Sequence, residues 1–162
     1  MNAICTTTIH APTKALRLFA AKCAESAGRW RMYVAGDVTT PHDAYLALAA
    51  EHDGVVYLRP EDQEKVDGEL SRVIGWRTVQ RRNFATLAAW RDGAEVFAFI
   101  DDDNVPKDYS SWGENLLLGP VTCNEYICDV IAFDPLGATN HRHLWHRGFP
   151  LELLSARDYM RS

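Results

Sequence analysis

Residues 96–104, VFAFIDDDN, run five apolar residues directly into three carboxylates and an amide. A short continuous apolar run closed by turn-forming residues predicts a central strand buried on both sides. The segments before it alternate in kind. AICTTTI (3–9) is rich in β-branched residues and predicts a strand. Residues 12–27, PTKALRLFAAKCAESA, predict a helix with Pro12 near its first turn and Gly28 just past its end. RMYVAGD (31–37) predicts a second strand, 41–50 a short helix, and VVYL (55–58) a third strand. A long helix over 77–92, closed by Gly93, leads into 96–100. Strands alternating with helices imply an α/β fold, with a mostly parallel central sheet and helices on both faces.

Ligands in such sheets gather beyond the carboxyl ends of the strands. Those ends are Thr6-Thr7-Thr8, Gly36-Asp37 and Asp101-Asp102-Asp103-Asn104. All are polar, so the expectation is one cleft lined by hydroxyls and carboxylates. Two carboxylates about 5 Å apart repel by roughly 3 kcal/mol at an effective dielectric near 20. A divalent cation relieves that repulsion, and Mg²⁺ or Mn²⁺ held by one or two carboxylates keeps positions open for substrate phosphates. In an extended segment Asp101 and Asp103 point the same way and Asp102 the opposite way. The competing reading is that DDDNVP forms a solvated Asx-rich turn.

In the preceding helix, Val79, Leu87 and Trp90 form an apolar stripe that also carries Asn83. An amide on a core face needs a hydrogen-bond partner, in the neighbouring strand or in the aspartate loop. Arg81 and Arg82, at the start of that helix, could pair with the carboxylates or with phosphate. Near the end stands NHRHLWHRGFPLE (140–152), where His141, His143 and His146 match no HExxH-type helix. There His146 could complete a metal shell, and His146 or Arg147 could contact leaving-group phosphate.

The 162 residues suit one domain, 1–162, and the net charge of -5 argues against a nucleic-acid partner held mainly by electrostatics. No stretch approaches the roughly 18–20 apolar residues of a membrane span. MNAICTTTIHAPTK lacks a basic region ahead of an apolar core, so it does not read as a secretory signal, and the cytoplasm is the expected compartment. Cys5 and Cys23 lie in strand and helix segments and read as buried free thiols; Cys123 and Cys128, spaced CxxxxC, read as structural. No G-x-S-x-G, P-loop or G-x-G-x-x-G occurs, which sets aside serine hydrolases, P-loop NTPases and standard dinucleotide enzymes.

Five stretches occur in the order found in the STELLO-type glycosyltransferases, which the chain resembles over most of its length. They are TTTIHAPTKAL, VAGDVTTP, VVYLRPEDQ, QRRNFATLAAWRDGAEVFAFIDDDN and LWHRGFPLE. The resemblance implies a GT-A-like, Rossmann-type nucleotide-binding fold with a nucleoside-diphosphate sugar donor and a divalent metal on its diphosphate. By the same resemblance Asp101 and Asp103 match the metal and donor motif. Thr6, Thr7 and Thr8 match the nucleotide-facing end of the first strand, and Asp37 the second strand end that meets base or ribose. Arg81, Arg82 and Asn83 match the helix start beneath the donor. An acceptor-binding half normally needs more residues than follow LWHRGFPLE, so a full one could be missing from 1–162.

The function expected is transfer of a sugar from that donor to an acceptor that the sequence does not identify. Mn²⁺ or Mg²⁺ would be held by Asp103 with Asp101 or Asp102, and His146 could add a ligand. Arg81, Arg82 or Arg147 would stabilise the departing nucleotide. An inverting reaction also needs a carboxylate base, for which Glu152, Glu114 and Asp129 are available. The alternatives are a nucleotidyltransferase that makes a sugar nucleotide and a non-catalytic nucleotide-sugar-binding or assembly module. TTTIHAPTK lacks the glycines of a nucleotidyltransferase phosphate loop. Homo-oligomerisation is left open.

Overall fold

A computed structural model describes residues 1–106 together with Thr122 and Glu152. Contacts divide the chain into two compact units, Met1–Leu116 and Leu117–Ser162, and every element below belongs to the first. Four strands form one sheet: β1 (Asn2–Thr8), β2 (Trp30–Gly36), β3 (Val55–Leu58) and β4 (Val96–Phe99), in the order β3-β2-β1-β4. Every pairing is parallel. The fold is α/β and Rossmann-like, with helices on both faces.

Period-two alternation in β1 sorts the core into two layers. Ile4 joins Leu16, Phe19 and Ala20 of α1 (Lys14–Glu25) and Tyr45 and Leu48 of α2 (His42–Glu51). Ala3 and Cys5 face the other way, onto Phe84, Ala85, Ala88 and Ala89 of α5 (Arg82–Arg91). Helix α1 begins at Lys14, inside the expected span 12–27 and with Pro12 ahead of it, because the Thr13 hydroxyl caps it by accepting the Leu16 N–H at 3.3 Å. Cys5 and Cys23 are buried free thiols; Cys123 and Cys128 lie outside the described residues.

Three local expectations are corrected. The segment expected as one helix over 77–92 is a 3-10 turn at Val79–Arg81 followed by α5, whose core face is the alanine-rich one; Val79 (58% exposed) and Trp90 (64%) point outward, and Asn83 is exposed. Both stripes satisfy a 3.6-residue period, but small side chains let the helix pack closely against β1 and β2. Second, β4 is not buried on both sides: among the described residues it pairs only with β1, and Phe99 is 57% exposed. Third, two seven-residue helices that sequence does not predict follow β3, α3 (Pro60–Val66) and α4 (Gly68–Ile74). PEDQEKV has no apolar period, and the helix rests on Pro60 in its first turn and on Asp62 accepting the Arg59 N–H at 3.2 Å. Asp67 caps α4 by accepting the Leu70 N–H at 2.9 Å. Among the described residues no helix is long and apolar enough to cross a membrane.

Candidate functional site

The strand order places the site. From β1 the chain steps outward to β2 and β3, then returns to lay β4 against the opposite edge of β1. Such a reversal opens a crevice at the carboxyl ends of the strands. Here it is a cleft of about 290 Å³ lined by Thr7, Thr8, Ile9, His10, Asp37, Arg77, Thr78, Val79 and Asp102.

Hydroxyls lock its floor. Thr7 Oγ1 donates to the Ala35 carbonyl at 2.7 Å. Thr8 Oγ1 donates to Asp102 Oδ2 at 2.5 Å and accepts the His10 N–H at 3.0 Å. Thr40 Oγ1 accepts the Asp37 N–H at 2.7 Å and donates to the Thr8 carbonyl at 2.6 Å, stitching the ends of β1 and β2 together. The Thr13 hydroxyl, besides capping α1, donates to the Asp102 carbonyl. Thr6 is fully buried and does not line the cleft.

Asp37 is 2% exposed, and its carboxylate is satisfied by backbone donors. Oδ1 accepts the Val38 N–H at 2.6 Å, and Oδ2 accepts the Arg77 N–H at 2.7 Å. Arg77 holds φ at +61°, a left-handed conformation uncommon for a side chain with a β-carbon. The buried carboxylate thus fixes a strained exposed residue at the cleft wall. Backbone strain of this kind concentrates at functional sites.

After β4 the chain turns instead of continuing extended. The Asn104 N–H donates to the Asp101 carbonyl at 3.2 Å, and the Val105 N–H to that of Asp103 at 3.0 Å. The alternation expected for Asp101 and Asp103 is lost, and Asp102 is the carboxylate that lines the cleft. Asp101 is exposed and accepts from Arg82 Nη1 at 3.3 Å, while Asp103 is exposed on the turn. Among the described residues no group of three or more metal-ligating side chains is preassembled. Mg²⁺ and Mn²⁺ do not require one: they take hard oxygen donors, one or two carboxylates completed by phosphate oxygens and water. The aspartate turn fits that donor chemistry.

The remaining predicted residues lie elsewhere. Arg81 is fully buried beneath α3 and α4 and does not line the cleft. Its Nε donates to Gln63 Oε1 at 2.8 Å, and Gln63 Nε2 in turn donates to the carbonyls of Gly36 at 2.6 Å and Leu58 at 2.9 Å. Burial lowers the Arg81 pKa, opposed by the charges of Asp37 and Glu64. Arg82 sits half-buried at the start of α5, with its guanidinium 5.9 Å from the centre of the Phe99 ring. Glu152 is exposed; His146 and Arg147 lie outside the described residues. Arg77, Thr78 and His10 line the cleft without a sequence signal: they sit in loops, and Arg77 is placed there by its bond to Asp37, distant in sequence.

Comparison of the chain with protein-family models and with curated protein sequences gives no match.

Proposed function

We propose that this chain is a metal-dependent glycosyltransferase of GT-A-like design, which binds a nucleoside-diphosphate sugar at the β1–β4 crevice and passes the sugar to an acceptor. The observation that carries the reading is the position of Asp102. It is a carboxylate on an aspartate-rich turn, held by Thr8 at the switch point of a parallel sheet, across the cleft from Asp37 and Arg77. The ordered resemblance to the STELLO-type family supports the same reading.

In this proposal Asp102, with Asp101 or Asp103 beside it, holds a Mn²⁺ or Mg²⁺ ion, which when bound neutralises charge on the diphosphate. The chain's own groups position the donor. Thr8 fixes the Asp102 carboxylate by hydrogen bond, so little reorganisation is needed as charge develops on the leaving diphosphate. Arg77, held through its backbone by Asp37, brings a cation to the same cleft. Ile9 and Val79 add apolar walls to an otherwise polar site, a composition that suits a ligand with both a ring and charged oxygens.

The test is a thermal-shift titration with UDP, GDP, ADP, CDP and dTDP, each with Mn²⁺ and with EDTA. It compares the wild type with Asp102→Asn and Asp103→Asn. A ligand at about 100 times its dissociation constant adds about 2.7 kcal/mol, or about 5–10 °C for a domain of this size. The expected result is a shift that needs both the metal and Asp102. No shift with any diphosphate removes the donor site from the proposal. Turnover assays then divide the chemistry: release of a nucleoside diphosphate marks glycosyl transfer, pyrophosphate marks nucleotidyl transfer, and tight binding without product marks a binding module.

A further inference from the structure

Asp102 holds the chain between β1 and α1 at two points. Its carboxylate Oδ2 accepts the Thr8 hydroxyl at 2.5 Å, at the end of β1, and its carbonyl accepts the Thr13 hydroxyl, one residue before α1 begins. Between those points Ile9 (51%), His10 and Ala11 are exposed, and Ile9 and His10 form part of the strand-end cleft wall. Among the described residues these three make one hydrogen bond, from the His10 N–H to Thr8 Oγ1 at 3.0 Å. Exposed backbone with so few bonds belongs to the low-stability end of a fold, where local opening is easy. Pro12, beside the second point, is buried, which confines the movement to 9–11.

The bonds at the first point act in series. A hydroxyl rotates to suit its partners, so Thr8 Oγ1 keeps its lone pairs on the His10 N–H only while Asp102 takes its proton. A carboxylate acceptor makes the charge-assisted, stronger kind of bond. At the second point the Thr13 hydroxyl gives its proton to Asp102 and accepts the Leu16 N–H at 3.3 Å, so the latch and the cap of α1 share one side chain. Both acceptors belong to Asp102, which itself lines the cleft. The residue proposed to bind the ligand therefore also grips the segment beside it.

We propose that residues 9–11 are a strap along the cleft, latched at both ends by Asp102, and that release of the latch swings Ile9 and His10 away and opens the cleft on that side. The inference rests on the donor-site reading only for the identity of the ligand beside the strap. Asp102 would then serve twice, holding the ligand and governing access to it.

The test is amide hydrogen exchange, read residue by residue by NMR on the full chain with neither nucleotide nor metal added. In Asp102→Ala the His10 amide should exchange about tenfold faster, and in Asp102→Asn, which keeps a neutral acceptor, by a smaller factor. Thr13→Asp keeps the cap acceptor but has no proton for the Asp102 carbonyl. There the Leu16 amide should stay protected while the His10 amide again speeds up, although His10 makes no hydrogen bond to Thr13. The Met32 amide, bonded to the Gly54 carbonyl at 2.8 Å, reports opening of the sheet and should keep its wild-type rate. An unchanged His10 rate in either Asp102→Ala or Thr13→Asp overturns the two-point latch, as does an equal acceleration at Met32, which marks general unfolding. Because no ligand is used, failure here leaves the donor site standing, and an absent thermal shift with diphosphates leaves the strap standing.

Discussion

The Thr8 hydroxyl donates to the Asp102 carboxylate at 2.5 Å, tying the end of β1 to the turn after β4 across 94 residues of sequence. Thr8 is 5% exposed, so water competes poorly for that bond. It joins the two strands between which the sheet reverses direction, and it orients the carboxylate on which donor binding is proposed to depend.

Thr8→Val should therefore lower stability by about 2 kcal/mol, the range for a hydrogen bond to a charged group. Thr8→Ser, which keeps the hydroxyl, should lose clearly less. Urea denaturation monitored by circular dichroism decides between them. A small loss in Thr8→Val beside a larger one in Thr8→Ser shows that the methyl packing, which valine keeps, and not the bond, is what Thr8 supplies.

Asp37 and Arg77 make opposite predictions. Asp37→Ala strips the acceptor from two backbone N–H groups at once and should cost about 3 kcal/mol. Arg77→Gly removes a β-carbon from the left-handed conformation and should be neutral or stabilising by up to about 1 kcal/mol. The same change takes a cation out of the cleft. Diphosphate affinity should consequently fall while the urea midpoint holds or rises, a combination that general destabilisation does not produce.

Stability should decline in alkali through the buried thiols. Burial pushes the Cys5 thiol up to about 11 and that of Cys23 up to about 12, from an ordinary value of 9.0. Both folded values lie above the unfolded one, so the protonated thiols contribute fully below the unfolded pKa, and the contribution fades as pH climbs through the folded values. Burial also raises Tyr33 and Tyr45 to about 12 from 10.0, which steepens the fall at the upper end. The urea midpoint should drop from about pH 9 upward, less steeply in Cys23→Ala. A flat midpoint across that window shows that the thiols titrate alike in folded and unfolded chains.

Gly36→Ala should be costly for a local reason. A β-carbon there collides with the Tyr57 hydroxyl, which is itself bonded to His42 Nδ1 at 2.7 Å. The overpacking should cost about 2 kcal/mol. Tyr57→Phe should recover part of that loss, giving a coupling of about 1 kcal/mol in a double-mutant cycle. Strict additivity rules out the collision as the cause.

Much of this architecture is legible in the sequence, and the misses share a cause. Apolar runs mark the strands, so their polar ends, Thr8, Asp37 and Asp102, follow at once, and a parallel sheet brings them to one side. Periodicity alone leaves α5 two faces to choose from. The alanine face wins because it fits closely against β1 and β2, a property of the partner rather than of the helix. The aspartate turn was open to either an extended or a turned reading, and bonds from Thr8 and Thr13 hold it turned. Arg77 could not be found at all, since its place depends on a carboxylate 40 residues away. Arg81 and Arg82 are neighbours with different fates, one in the core and one at the surface beside Asp101.

The register of the sheet also sets an order of events during synthesis. Asn2 pairs with Trp30 on one side and with Val96 on the other. Strands β1, β2 and β3 can join in the order in which they are made, whereas the second edge of β1 must wait for β4. Closing so long a loop costs only slightly more free energy than closing a short one, but distant pairings form slowly. A growing chain therefore carries an unpaired strand edge, the kind that recruits other chains, for as long as it lacks β4. The crevice and the covered edge are completed in the same step, so a nascent chain is most exposed to misassociation while it has no ligand site to protect it.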